Sequence, residues 1–237
     1  MKNNIQLSEI QHAQVFMFIG QELRKNFDDN QFEEIISELV KKYGMQRGNR
    51  MAMRAKANSH ELSMLNYMAY SEFVNKTSIM KKKISGVNGH TKVVITKCPW
   101  CETWKENNAL DFGKYYCKFV DKSLVKGFNS NLNIDINSTL SNQNEACEFI
   151  FHDLNVGIGS YVKLAIKKLF KPGKRALMPW SFHICHLIST TSEILIQQKC
   201  SNSDAIINNI IIKIRQEFPE SDANEILGYL KNDFSKI

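Results

Sequence analysis

A chain of 237 residues, 43% apolar and 23% charged, can close a hydrophobic core without disulfide staples. No apolar run reaches the roughly eighteen residues of a membrane span. Val15 to Gly20 is short, runs into Glu22 and Arg24, and lacks the flanks of a signal peptide, so six cysteines argue for reduced thiols in a cytoplasm. The net charge of +7 is local, gathered in Lys81-Lys82-Lys83 and in Lys163 to Arg175. Neither cluster interleaves aromatic residues in the way that stacks bases, so solvated faces are expected rather than a nucleic-acid contact.

Residues 5 to 27 place Ile10, Val15, Phe16, Ile19, Leu23 and Phe27 near helical spacing. Asp28 and Asp29 are caps for a second helix, which runs through Phe32, Ile35, Ile36, Leu39 and Val40 and is expected to stop at Gly44. A third segment, Gln46 to Ala57, puts Arg47, Arg50 and Arg54 near one face, and Ser59 caps a fourth through Leu62, Leu65, Tyr70 and Phe73.

The period then changes. Asn88-Gly89 lies between Ser78–Ser85 and Thr91–Lys97, the strongest short hairpin signal. Residues 110 to 128 return to helical spacing. Leu132-Ile134-Ile136 and Cys147-Phe149-Phe151 alternate across the polar Ser141 to Glu145, which predicts a second hairpin. Beyond Asp153 the pattern is helical: Ser181 caps a helix to about Lys199, and Pro219 separates a last pair over 203–217 and 221–234. The predicted fold class is α+β, an antiparallel sheet built from two hairpins joined by a helix and flanked by N-terminal and C-terminal helices. The stretches are 1–75, 76–155 and 156–237, within one compact unit.

Cys98-Pro99-Trp100-Cys101 follows an extended apolar run and opens a helix, where a thiol has a lowered pKa. A thioredoxin-type site also needs a cis-proline facing the dithiol from some tens of residues downstream, and no proline lies between 100 and 171. The preceding strand is an arm of the Asn-Gly hairpin, not part of a βαβ crossover. The remaining cysteines, Cys117, Cys147, Cys185 and Cys200, supply no second close pair for a structural zinc. Gly157-Ile158-Gly159-Ser160 with Lys163 hints at a phosphate loop but lacks its spacing.

Several pieces line up in order: Tyr43-Gly44 with Arg47-Gly48-Asn49-Arg50-Met51-Ala52; Cys98-Pro99-Trp100, Glu102 and Trp104; Gly113, Tyr116-Cys117, Asp121 and Gly127-Phe128-Asn129; and Cys147 with Phe149. This pattern, over roughly residues 35 to 155, resembles the L-2-amino-thiazoline-4-carboxylic acid hydrolase family. The layout also looks distantly like the vinyl-reductase, or hydrocarbon-binding, domains. The resemblance implies hydrolysis of a 2-aminothiazoline ring to an N-carbamoyl cysteine. Two positions depart from the family pattern: Cys101 stands where an aromatic residue is usual, and Gln143-Asn144-Glu145 replaces the Gly-Asp before the last cysteine.

Cys117 and Asp121 are four apart and share a helix face, and Gly113 one turn earlier leaves room for a ligand or a backbone. If that helix packs on the sheet, Cys98, Cys117 and Cys147 converge; the competing role for each is that of a small buried hydrophobe. His183, His186, Thr190 and Glu193 form one polar stripe on the C-terminal helix. Two imidazoles a turn apart suit a divalent metal, zinc or manganese, or a metal and a general base.

The expected catalytic set is therefore Cys98, Cys117, Asp121, His183 and His186, and the expected metal ligands are Cys98, Cys147, His183, His186 and Glu193. Arg50 or Arg54 would bind the substrate carboxylate, with Trp100 and Glu102 beside it. The reading is a hydrolase of a small carboxylated cyclic amidine or thiazoline, working by metal-bound water or a cysteine nucleophile. The alternatives are a ligand or metal sensor with its C-terminal helices as a homodimer surface, and a thiol–disulfide oxidoreductase using Cys98 and Cys101. The expected partner is a small-molecule substrate, not a membrane.

Overall fold

The computed structural model describes residues 7–154 and 176–237. The Gly157–Lys163 stretch and the whole of the basic run to Arg175 lie outside them.

Helix α1 (Glu9–Asn26) starts at Ser8, whose hydroxyl accepts the Ile10 N–H while the Gln11 side chain returns to the Ser8 N–H. Phe16, Ile19 and Leu23 are fully buried, as are residues on its other faces, so α1 is the central rod of the helical layer. Helix α2 (Asp29–Ala57) is capped by Asp28 as predicted, with the Gln31 N–H on its carboxylate at 2.9 Å.

α2 does not stop at Gly44. It continues through the predicted third segment as one helix of 29 residues. The reason is helix crossing. A Cβ on Gly48 would stand 2.2 Å from the Leu124 carbonyl oxygen, and one on Gly127 would stand 2.4 Å from that of Met45. These glycines let α2 and α5 (Leu110–Phe128) touch backbone to backbone. Ser59 does not cap a helix; it takes a left-handed φ of 56°, and the His60 N–H closes α2 on the Ala55 carbonyl. The next element is one short helix, α3 (Met64–Ala69).

Strands β1 (Lys81–Val87) and β2 (His90–Lys97) form the expected hairpin, with positive φ at both Asn88 and Gly89. Helix α4 (Pro99–Glu106), with Pro99 in its first turn, and α5 connect this hairpin to β3 (Ile134–Ser138) and β4 (Cys147–Phe151). The sheet order is β1-β2-β4-β3, and every neighbouring pair is antiparallel. Val93 sits opposite Phe149, and Ile95 opposite Cys147. On β4, Cys147, Phe149 and Phe151 face inward, while Glu148 meets Lys92 on the outer face.

Helices α6 (Trp180–Gln197), α7 (Ser203–Glu217) and α8 (Glu220–Leu227) complete the described chain. Pro179, not Ser181, occupies the cap position of α6; the Ser181 hydroxyl donates to Glu225 and ties α6 to α8. α8 is shorter than expected, because the tail turns back and buries Phe234. Buried apolar side chains from all three stretches form one continuous core. Among the described residues no helix is long and apolar enough to cross a membrane.

The crossing supplies a test. Gly48→Ala drives a methyl group into backbone and should cost about 1–3 kcal/mol in urea unfolding. Gly86→Ala, with no atom near the added carbon, should leave the midpoint nearly unchanged.

Candidate active site

A cavity of about 520 Å³ lies between the inner face of the sheet and helices α2, α3 and α5. Ile84, Val93, Ile95, Phe149 and Phe151 form the sheet wall, and Met51, Met68 and Met80 line it as well. Among its polar groups are Arg47, Tyr67, Cys98, Tyr116, Cys117, Asp121 and Cys147, with Ser71, Asn75 and Lys82 also on its lining. An apolar pocket with a small set of convergent polar groups is the usual form of a small-molecule site.

Cys98 stands where β2 ends and α4 begins, at the N-cap. The Cys101 thiol, followed by the backbone N–H groups of Cys101 and Trp100, holds the Cys98 pKa below its ordinary value, against burial and the nearby Asp121 carboxylate. Cys101 lies one turn on, beside the thiols of Cys117 and Cys98. Those contacts and burial push its pKa far up. Cys98 is therefore disposed to be the thiolate and Cys101 the thiol. Cys147 receives the Leu140 N–H at 3.2 Å, and burial lifts its thiol to about 12.

On α5, Cys117 and Asp121 both reach the cavity from one face, as their spacing predicts. Burial raises the Asp121 carboxyl to about 6, and the Arg47 guanidinium opposes that shift. Burial also raises the phenols of Tyr67 and Tyr116, which remain proton donors. The room beside Gly113 is not open to a ligand: a Cβ there would lie 2.4 Å from the Trp104 ring.

Of the three arginines on α2, the one that lines the cavity is Arg47. Its guanidinium lies over the rings of Phe73 and Tyr43, and its Nε, without a hydrogen-bond partner among the described residues, is 3.6 Å from Glu72. The expectation for Arg50 and Arg54 is corrected. Arg50 donates from Nε and Nη2 to the two Glu72 oxygens at 2.9 and 2.8 Å and from Nη1 to the Phe234 carbonyl; Arg54 donates to Glu72 at 2.5 Å. Neither lines the cavity. Trp100 does, with its indole N–H fixed on His12 at 3.0 Å, but Glu102 faces out and pairs with Lys97.

His183 and His186 are fully buried behind the Arg47–Glu72 layer and do not line the cavity. His183 Nε2 donates to the Glu72 carbonyl oxygen, and His186 Nε2 donates to the Gln46 side chain at 2.7 Å. Glu193 accepts from Lys42 and Gln46. Among the described residues no three His, Cys, Asp or Glu side chains group as metal ligands, and both imidazoles face guanidinium groups. The expected donor set therefore does not fit a divalent ion. Cys98, Cys117, Cys147 and Asp121 do share one cavity; the histidines belong to a separate polar network. Arg47 could have been singled out from the Arg47-Gly48 motif, but nothing in the spacing shows which arginines Glu72 takes.

Burial raises the Glu72 carboxyl, yet the Arg50 charge and hydrogen bonds overcome this and hold it at about 2. Its folded pKa lies below the ordinary 4.5, so its stabilisation is present above pH 4.5 and lost as pH falls towards about 2. Burial likewise lowers His183 to about 3, which adds to acid lability below its ordinary 6.5. Glu72→Gln should cost about 3–5 kcal/mol at neutral pH. It should also flatten the stability profile between about pH 4.5 and 2, read by chemical denaturation at a series of pH values.

No curated protein and no solved structure matches the chain. The sequence profile described as L-2-amino-thiazoline-4-carboxylic acid hydrolase matches residues 8–151. That span is more than half of the 237 residues, runs from the cap of α1 to the end of β4, and contains every residue of the cavity. The chain belongs to the L-2-amino-thiazoline-4-carboxylic acid hydrolase family.

Proposed function

We propose that the protein hydrolyses a small carboxylated cyclic amidine of the 2-aminothiazoline type, with Cys98 as nucleophile. One observation carries this reading: the Cys101 thiol, with the backbone N–H groups at the start of α4, favours a thiolate at Cys98, in a cavity that also holds a guanidinium, Arg47, and a carboxyl, Asp121. These charges match the two ends of such a substrate. Arg47 pairs with the carboxylate, and the Asp121 carboxylate pairs with the amidinium.

The Cys98 sulfur attacks the carbon between nitrogen and sulfur. The ring C–S bond breaks, the ring sulfur leaves as a thiolate and takes a proton, and an isothiourea ester remains on Cys98. Tyr67 and Tyr116, kept protonated by burial, are neutral donors lining the cavity. Water then attacks the same carbon and gives its proton to Asp121. The Cys98 thiolate leaves, and the product is a urea, the N-carbamoyl amino acid. Water and substrate balance the product, and no oxidant or metal enters any step.

Turnover of L-2-amino-thiazoline-4-carboxylate, followed by release of a free thiol, tests the scheme. Cys98→Ser should fall to background; full turnover by this variant ends the proposal. Arg47→Met should raise KM and lower kcat/KM about tenfold to a hundredfold, the worth of a lost charge-assisted hydrogen bond. Asp121 binds the substrate and accepts the proton as a carboxylate, so kcat/KM should rise with pH through about 6. Asp121→Asn should lose about 10²–10⁴-fold together with that limb of the profile. Tight binding of the substrate without turnover by the wild type would mark the protein as a sensor instead.

A further inference from the structure

The Cys-Pro-Trp-Cys stretch holds a feature the hydrolytic scheme does not use. Cys98 and Cys101 open the first turn of α4, three residues apart, and all six cysteines of the chain are free thiols. Helix geometry sets Cα atoms at that spacing about 5 Å apart, inside the roughly 4.4–6.8 Å range a disulfide spans. The Cys101 side chain lies beside the Cys98 sulfur. Cys98 is half-buried on the cavity wall, whereas Cys101 is buried behind it. A small uncharged oxidant can enter this cavity and reach Cys98 on its wall. This pair chemistry needs only the local turn, not a thioredoxin fold around it.

We propose that Cys98 and Cys101 are a redox-active pair: hydrogen peroxide oxidises the Cys98 sulfur, and Cys101 closes on it to form a reversible disulfide. The Cys98 thiolate attacks one peroxide oxygen and the O–O bond breaks. The departing hydroxide takes up a proton as water, and Cys98 becomes a sulfenic acid. The Cys101 sulfur then attacks Cys98, the S–O bond breaks, and the released hydroxide leaves with the Cys101 proton as a second water. Two thiols and one peroxide thus give one disulfide and two waters. An added dithiol reverses the bond by exchange and is itself oxidised. The effect on turnover rests on Cys98 being the hydrolytic nucleophile; the bond itself does not.

Trypsin releases residues 98–105 as one peptide that carries both cysteines. The reduced full-length protein is treated with stoichiometric hydrogen peroxide, alkylated under denaturing conditions, and mapped by mass spectrometry. The expected result is that peptide lighter by two hydrogens, unalkylated, and restored by dithiothreitol. In Cys101→Ser the disulfide should be absent, and dimedone should capture a sulfenic acid at Cys98. The proposal is overturned if the wild-type peptide remains fully alkylated, or if Cys98 pairs with Cys117 or Cys147 instead. The wild-type map decides the matter even if the variant fails to fold. Where L-2-amino-thiazoline-4-carboxylate is turned over, activity should fall and recover with the same peptide. An enzyme without such turnover could still form the bond, so the two readings fail separately.

Discussion

The Glu72 carboxylate lies fully buried among three guanidinium groups, and the polar interior of the molecule is arranged around it. Arg50 grips both its oxygens, Arg54 adds a third contact, and Arg47 stands at 3.6 Å. Its backbone carbonyl accepts from His183 and from the Met178 N–H. Helix α2, the segment after α3 and the start of α6 are thereby joined at one residue. Arg50 extends the network to the Phe234 carbonyl in the C-terminal tail. A buried charge cluster of this kind is strongly held only while it is complete, because loss of one partner strands the others away from water.

The same helix serves two purposes. Gly44 and Gly48 give α2 a face with no side chains, so its backbone packs directly on α5. The arginine face turns towards Glu72 and, at Arg47, towards the cavity. Close crossing brings the cation on α2 and the Cys117–Asp121 face of α5 to one chamber, which β2 completes by delivering Cys98 at its end. The C-terminal helices lie outside the stretch that matches the family. From there His183 and His186 brace the network behind Arg47 rather than enter the chamber.

Much of this frame was readable from local chemistry. Asn88-Gly89 specifies its hairpin because both residues tolerate positive φ, and Asp28 announces α2 through its cap. The alternation at Cys147, Phe149 and Phe151 shows the inward face of β4. The failures share one cause: a residue with a local meaning was taken over by a distant partner. Gly44 reads as a helix stop, but α5 uses it as a contact surface. Arg50 and Arg54 read as ligand-binding groups, but Glu72 occupies them. The histidine stripe reads as a metal face until Gln46 and the Glu72 carbonyl are found to take its donors. No spacing rule reports which of several equivalent cations a carboxylate twenty or so residues away will choose.

The outer strand of the sheet carries a device against edge-to-edge pairing. Every residue of β1 is exposed, and among the described residues the strand has no neighbour beyond it, so its free backbone groups could template another chain. Lys81, Lys82 and Lys83 open this strand. Three adjacent cations on an open edge repel a like edge and make continued sheet growth unfavourable, which leaves the basic cluster a guard against fibrous self-association.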